Sequence, residues 1–310
     1  MQFFTKAGMK NIKKAGDVPS VTIKITLPDG TEHNDEFLAK AEDCTWGTDR
    51  CDVHLGPDCS FVGDFQTYQI RATGKKGVGC DLTLESRAKP YRPGTAYFDF
   101  GDGEFYTWLC SVPQGEVEGT LTYGGKTVAV HGTGYHDHQW GNRFYLPEWN
   151  NWVWARQSFG DYSALIFDYV TSEAAGFQRI PIIFVQDSAG DIVFESREGV
   201  TCRIPEMTPT DKASGKEYPK VLEYEFESDG KRVSYTLEIE KRLQSGGFRG
   251  IPLVGGLLAR YVGADVAYMR VSGRGTMVMS GVAEEPIERS GELIYEFMYP
   301  GSDCKAHMEC

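Results

Sequence analysis

Two neighbouring stretches concentrate the groups that can move a proton or hold an unsaturated ligand. The first is His131-Gly-Thr-Gly-Tyr-His-Asp-His-Gln-Trp-Gly141 and the second is Trp149-Asn-Asn-Trp-Val-Trp-Ala-Arg156. Together they hold three of the six histidines and four of the six tryptophans in 310 residues. If residues 134–140 form a strand, side chains alternate between its faces. Tyr135, Asp137 and Gln139 then share one face, and His136, His138 and Trp140 the other. A phenol and a carboxyl two residues apart on one face suit acid–base chemistry. The same alternation groups Trp152, Trp154 and Arg156 on the following strand.

The elements that must position these residues read as strands. From Val21 the run Val-Thr-Ile-Lys-Ile-Thr-Leu alternates and stops at Pro28-Asp-Gly30. Asp35–Ala41 reads as one short helix, and Cys44–Asp64, rich in Gly, Asp and Cys, as a long loop or an irregular edge. Lys10, Lys13 and Lys14 mark a solvated lead-in. Strand-like runs follow at 65–72, 79–84, 97–100, 105–111, 115–123 and 127–132, with Gly124-Gly125 as a two-residue hairpin turn. After Pro147 the pattern resumes at 152–158, 162–169, 180–185, 192–196, 221–227, 233–240, 267–273, 276–281 and 292–299. The apolar stretch Ile251–Val262 reads as a short helix closing a barrel mouth or acting as a lid. Many short strands without a long helical period predict an all-β protein. Two consecutive antiparallel β units, 1–147 and 148–310, would meet near the motif, with a ligand site between them.

Composition narrows the partners. The chain carries 32 basic against 44 acidic residues, a net charge of −12, which argues against nucleic acid or an anionic membrane surface. The longest apolar run, Ile251–Ala259, falls far short of the ~20 residues that span a bilayer. No secretory leader is visible at Met1-Gln-Phe-Phe-Thr-Lys, so a cytoplasmic protein is expected, a monomer or homodimer, with its eight cysteines as reduced thiols. No Cys-x-x-Cys occurs, and a His136/His138 metal pair lacks an evident third ligand, so neither a metal nor a cofactor is expected.

Gly134-Tyr-His-Asp-His-Gln-Trp-Gly141 resembles the Tyr-x-Asp-His-Asn-Trp-Gly signature of the carotenoid 1,2-hydratase (hydroxyneurosporene synthase)/AttH-like family. Trp108–Gly119, Trp152–Arg156 and Glu292–Tyr299 resemble the strands that precede, follow and close that family's pattern. The resemblance implies two lipocalin-like β-barrels, and a cofactor-independent hydratase or isomerase of carbon–carbon double bonds, or a Diels–Alderase-type cyclase. It implies a small hydrophobic unsaturated substrate, with Asp137 as proton donor and Tyr135 and His136 as assistants. Gln139 stands where hydratases carry Asn, and His136 where carotenoid enzymes carry an apolar residue, which argues against a long polyene.

Each assignment has a plainer counterpart. Asp137 would serve equally as an ion-pair partner of Arg143 or Arg156 that locks the chain. One of His136 and His138 is expected as a hydrogen-bonded core residue and the other as pocket lining. Trp140, Trp152 and Trp154, with Tyr68, Trp108 and Tyr268, would form a ligand wall or simply core. A lipocalin-like carrier without chemistry is the non-enzymatic alternative.

Overall fold

A computed structural model of the chain describes residues 1–5, 18–142, 146–248, 251, 253–262 and 265–309. Lys10, Lys13, Lys14 and Arg143 lie outside the described residues. The chain groups into two compact units, Met1–Arg92 with Leu109–His138, and Pro93–Trp108 with Gln139–Cys310.

In the first unit β1 (Gln2–Phe4), β2 (Ser20–Thr26) and β3 (Glu32–Leu38) form a small antiparallel sheet. A larger curled sheet uses β4 (Cys44–Trp46), β5 (Cys51–Leu55), β6 (Ser60–Gly63), β7 (Thr67–Thr73) and β8 (Gly79–Ser86). It is completed by β9 (Tyr97–Gly101), β10 (Glu104–Tyr123) and β11 (Lys126–Gly141), of which β9, residues 104–108 of β10 and residues 139–141 of β11 are grouped with the second unit. The strand order is β11-β10-β8-β7-β6-β5-β4, with β9 on the first part of β10. Strand β7 shows why this sequence makes a half-buried strand: Tyr68, Ile70 and Ala72 are buried while Thr67, Gln69, Arg71 and Thr73 are exposed. Burying a large side chain of this kind contributes about 1.5–3 kcal/mol.

Two expectations for this region are corrected. Asp35–Ala41 is not a helix. Residues Glu32–Leu38 pair in register with β2, and only Ala41–Asp43 make a single 3-10 turn. Pairing wins because Asp35 is buried and its carboxylate accepts the backbone N–H of Lys76 at 2.6 Å and of Val78 at 3.1 Å, satisfying a turn from a strand position. Cys44–Asp64 is likewise not a loop: β4, β5 and β6 pair antiparallel in succession across it, and β4 forms the edge of the sheet, the alternative reading. The Gly124-Gly125 hairpin is present, with φ of +57° and +75°, the two left-handed positions that a type I′ turn requires.

The runs read separately at 105–111 and 115–123 are one 20-residue strand, β10. Pro113 does not break it because it falls between the stretch paired with β9 and the stretch paired with β8, where no ladder on that side uses its missing N–H.

Besides Pro93–Trp108, the second unit contains one curled nine-stranded antiparallel sheet. Its strands are β12 (Trp149–Ser158), β13 (Tyr162–Thr171), β14 (Arg179–Asp187), β15 (Ile192–Ser196), β16 (Val200–Met207), β17 (Pro219–Ser228), β18 (Lys231–Gly247), β19 (Ala267–Ser280) and β20 (Ile287–Met298). Their order is β15-β14-β13-β12-β20-β19-β18-β17-β16. Strand β16 was not foreseen. Residues 267–280 form one strand rather than two, because its register with β20 runs unbroken through Gly273 and Gly275. The only helices of the unit with an α conformation among the described residues are α1 (Gly255–Val262) and α2 (Cys304–Met308).

The concave side of this sheet is packed with Val153, Ile166, Phe226, Leu237, Met277 and Phe297 among others, and α2 adds Cys304 and Met308. Two polar groups are built into that core. The Asp168 carboxylate receives Arg179 Nε at 3.0 Å, Arg179 Nη2 at 2.8 Å and Tyr224 Oη at 2.9 Å. Gln157 accepts from Tyr235 Oη at 2.5 Å and donates to the Gly275 carbonyl at 3.1 Å. A Cβ on Gly275 would lie 1.9 Å from Gln157 Oε1, so only glycine leaves room for that amide. The protein is therefore all-β, with curled antiparallel sheets of the lipocalin-like kind and little helix.

Candidate functional site

The motif His131–Gly141 lies on β11, as the alternation requires. Within the first unit its two faces have separate neighbours. Gly134 sets one face: a Cβ there would lie 2.5 Å from both Leu84 Cδ1 and Val117 Cγ2, so this face is pressed onto apolar side chains of β8 and β10. His136 follows on that face. Its ring centroid stands 4.6 Å from Phe61 and 5.0 Å from Tyr68. Tyr68 in turn fills the space that Gly63 leaves open, where a Cβ would sit 2.2 Å from its ring.

Electrostatics follow from this burial. Desolvation first, then the neighbouring His138, pulls the His136 imidazole down to about 3, so it is neutral at physiological pH. Burial also lowers His138, against an opposing pull from the Asp137 charge. The Tyr68 phenol is pushed up to about 12 by burial, with Cys51 adding to the rise, and remains protonated. His136 and Tyr68 thus make a neutral, largely buried pair.

On the other face Tyr135 Oη donates to Asp137 Oδ2 at 3.0 Å. Both residues are half-buried. The phenol fixes one carboxyl oxygen through a local i, i+2 contact that the pleat of the strand makes possible. Gln139 and Trp140 are exposed where the strand ends.

The other sequence-predicted residues belong to the second unit. Trp152, Trp154 and Arg156 alternate with the buried Val153, Ala155 and Gln157, so they share the convex face of β12. Across the ladder Trp152 is paired with Tyr169 and Met298, Trp154 with Phe167 and Glu296, and Arg156 with Leu165 and Ile294. Tyr268 continues that face, paired with Met298. It sits beside the Arg270–Glu296 ion pair, and its phenol is raised by burial and then by the Glu296 charge. Trp108, fully buried, packs edge-on against Phe167 at 5.1 Å. The wall expected from tryptophans thus splits: Trp152, Trp154 and Tyr268 lie on the nine-stranded sheet, whereas Trp108 on β10 and Tyr68 on β7 lie, with His136, on the eight-stranded one.

Sequence reasoning missed Trp149. Simple alternation puts it with Asn151 and Val153 on the core face. A β-bulge shifts the register between Trp149 and Asn151, so Trp149 stands opposite Thr171 and its ring lies 4.7 Å from Tyr169. Phe98 and Phe100 close on it at 5.8 and 5.7 Å. The Asn150-Asn151 pair is the only local hint of that bulge. Among the described residues no three His, Cys, Asp or Glu side chains converge as a metal site, and none of the described cysteines is bridged.

A two-unit, all-β protein with a Tyr-His-Asp-His motif on a long strand is the class that fold and site define. The AttH-like family model matches residues 35–277, and the chain belongs to that family. Among solved structures it resembles a putative AttH (NE1406) from Nitrosomonas europaea, with a TM-score of 0.61 and 15% identity over 94% of this chain and 84% of that one. CghA with Sch210972 gives 0.61 and 14% over 92% and 80%. Kievitone hydratase from Nectria haematococca gives 0.53 and 14% over 94% and 87%. At these identities the likeness is one of fold. The quinolone epoxide rearrangement protein penF of Penicillium thymicola is 28% identical over 127 residues, 38% of this chain and 35% of penF. The match therefore spans about a third of that relative. By their names, the similar proteins include a hydratase and a rearrangement protein. Among the described residues no helix is long and apolar enough to cross a membrane.

Proposed function

We propose that the chain is a cofactor-independent enzyme that hydrates or isomerises a carbon–carbon double bond of a small hydrophobic isoprenoid-like or polyketide-like molecule. The observation that carries this reading is the Tyr135–Asp137 hydrogen bond on the half-buried face of β11. In the forward step the Asp137 carboxyl transfers its proton to one alkene carbon, leaving a carbocation on the other. In hydration, water adds to that cation and its surplus proton returns to the Asp137 carboxylate. In isomerisation the carboxylate instead removes a proton from the neighbouring carbon. Either way the carboxyl ends as it began, and Tyr135 holds one oxygen while the other acts.

His136 and His138 support the assignment by exclusion. Held toward the neutral form, neither imidazole carries a proton to donate at neutral pH, so an acid role in the motif requires Asp137 to be protonated when substrate binds. Likeness of fold to a structure named as a hydratase agrees with the reaction class. Trp140, Trp152, Trp154 and Arg156 are kept as substrate-binding candidates. The aromatic faces would bind hydrocarbon, and the guanidinium a carbonyl or carboxylate.

The test is incubation of the protein in D2O with a hydrophobic extract of its native host, followed by mass spectrometry. The wild type is expected to yield a compound carrying one new C–D bond, and Asp137→Asn, with an unchanged circular dichroism spectrum, to yield none. Undiminished deuterium incorporation by Asp137→Asn would remove Asp137 from the mechanism.

A further inference from the structure

We infer that α1 and the turn leading into it form a docking surface for an anionic lipid bilayer. Leu253, Leu257 and Tyr261 are 100%, 65% and 60% exposed, and Ile251 and Val254 are exposed as well. The Gly255 N–H donates to the Ile251 carbonyl at 3.1 Å and the Leu258 N–H to the Val254 carbonyl at 3.0 Å, so the turn runs directly into α1. Leu257 and Tyr261, four residues apart, share one face of the helix, whereas Gly255 is buried. The face turned toward solvent is thus apolar, the reverse of an ordinary surface helix. Neither Tyr135 nor Asp137 belongs to this surface.

Charge says what covers this face. The chain as a whole carries −12, yet residues 241–262 hold Lys241, Arg242, Arg249 and Arg260 and no acidic residue. Arg249 lies outside the described residues and enters by sequence alone. Arg242 is paired with Asp211, whereas Lys241 and Arg260 are exposed and make no ion pair with a described residue. The flanking acids do not cancel them, because each has a base of its own: Glu240 lies 3.4 Å from Arg274, and Asp265 3.9 Å from Lys216. At physiological salt, exposed charges more than about 8 Å apart are largely screened, so a surface meets the local positive charge and not the chain total.

Exposed apolar side chains flanked by unpaired bases match a lipid interface, where hydrocarbon takes the former and anionic headgroups the latter. A second copy of the chain fits less well, since a two-fold contact would bring Lys241 and Arg260 against themselves. The eight residues of α1 are far fewer than the roughly 20 that span a bilayer, so the contact is with its surface.

The experiment is co-sedimentation of the full chain with vesicles of phosphatidylcholine alone and of phosphatidylcholine mixed equally with phosphatidylglycerol. The wild type is expected on the mixed vesicles, at least about tenfold more weakly on phosphatidylcholine, and to leave the mixed vesicles as salt is raised. Lys241→Ser with Arg260→Ser should weaken binding to the mixed vesicles roughly 25-fold, about fivefold for each charge removed. Leu257→Ser with Tyr261→Ser, both at exposed positions, should weaken it at least about tenfold with an unchanged circular dichroism spectrum. Asp137→Asn should bind vesicles like the wild type even if it loses all turnover. Failure to sediment with the mixed vesicles, equal binding to the two kinds, or binding that survives the substitutions would overturn the proposal. Concentration-dependent dimers in sedimentation equilibrium that vanish in Leu257→Ser with Tyr261→Ser, without vesicle binding by the wild type, would assign the face to a second copy instead.

Discussion

His136 stands edge-on to Tyr68, 5.0 Å between ring centroids, on the apolar side of β11. Its imidazole binds a proton only near pH 3 in the folded chain, against an ordinary value of about 6.5. The unfolded chain takes up that proton first as pH falls, so the unfolded state binds more protons between those two values. Stability from this residue is fully present above about pH 6.5 and is lost as pH drops toward 3, with a limiting slope of about 1.4 kcal/mol per pH unit. Urea unfolding at pH 4, 5, 6 and 7 should show this fall, and His136→Phe should flatten it. An unchanged slope in His136→Phe would place the acid sensitivity elsewhere.

Tyr135→Phe keeps the ring and removes the donor that orients Asp137. A carboxyl that loses this hydrogen bond is aimed less well, and misplacement of about 1 Å can cost roughly 100-fold in rate. The expected result is a 10- to 100-fold fall in kcat with little change in KM, smaller than the loss in Asp137→Asn. If both variants instead keep their turnover while Trp152→Ala and Trp154→Ala lose it, shape-directed cyclisation on the aromatic face replaces proton transfer. Kinetics of the four variants on one substrate decide this.

Much of this arrangement was legible in the chain, for a physical reason. Alternation with period two is imposed by the pleat, so the shared faces of Tyr135 with Asp137, and of Trp152 with Trp154 and Arg156, needed no tertiary information. The turn at Gly124-Gly125 was equally local, since two left-handed residues in a row admit few alternatives to glycine. What failed depended on distant partners. Asp35 reads as a helix-compatible polar residue until the N–H groups of Lys76 and Val78 reach it across 41 and 43 residues. Trp149 changes face through a bulge whose register is set by β13. Pro113 looks like a break until the ladders on either side of it are known. The Ile251–Val262 stretch contains α1 at Gly255–Val262, with Leu257 and Tyr261 exposed.

The Asp168–Arg179 pair shows what a fully buried carboxylate costs to disturb. Asp168 is 0% exposed and takes three hydrogen bonds, two from Arg179 and one from Tyr224. Arg179 also donates to the Met308 carbonyl at 2.8 Å, which ties α2 to β14. Asp168→Asn takes the Asp168 charge away from a buried guanidinium, and breaking one partner of such a pair costs about 3–5 kcal/mol. Removing both charges as Asp168→Leu with Arg179→Met should cost less than the single change. Denaturant midpoints of the wild type, single and double variants at pH 7 measure this. A double variant less stable than Asp168→Asn would contradict the assignment.

Gly134 makes the last and most local test, because it sits one residue before Tyr135 and facing away from it. A side chain at 134 has nowhere to go: its Cβ alone would press Leu84 Cδ1 and Val117 Cγ2 to 2.5 Å, and both belong to the packed layer around Tyr68. Overpacking of this kind typically costs about 1–3 kcal/mol and is relieved by backbone movement. Here that movement would lift β11 and displace Tyr135 and Asp137 with it. Gly134→Ala should therefore lower stability by that amount and also lower kcat. Gly134→Ala combined with Leu84→Ala and Val117→Ala, which together remove both clashing methyls, should recover kcat more than it recovers stability, since the new cavity carries its own cost. Thermal unfolding and turnover measured on the same samples separate the two effects. Turnover that stays low once both clashes are gone would show that the loss does not come from displacement of β11.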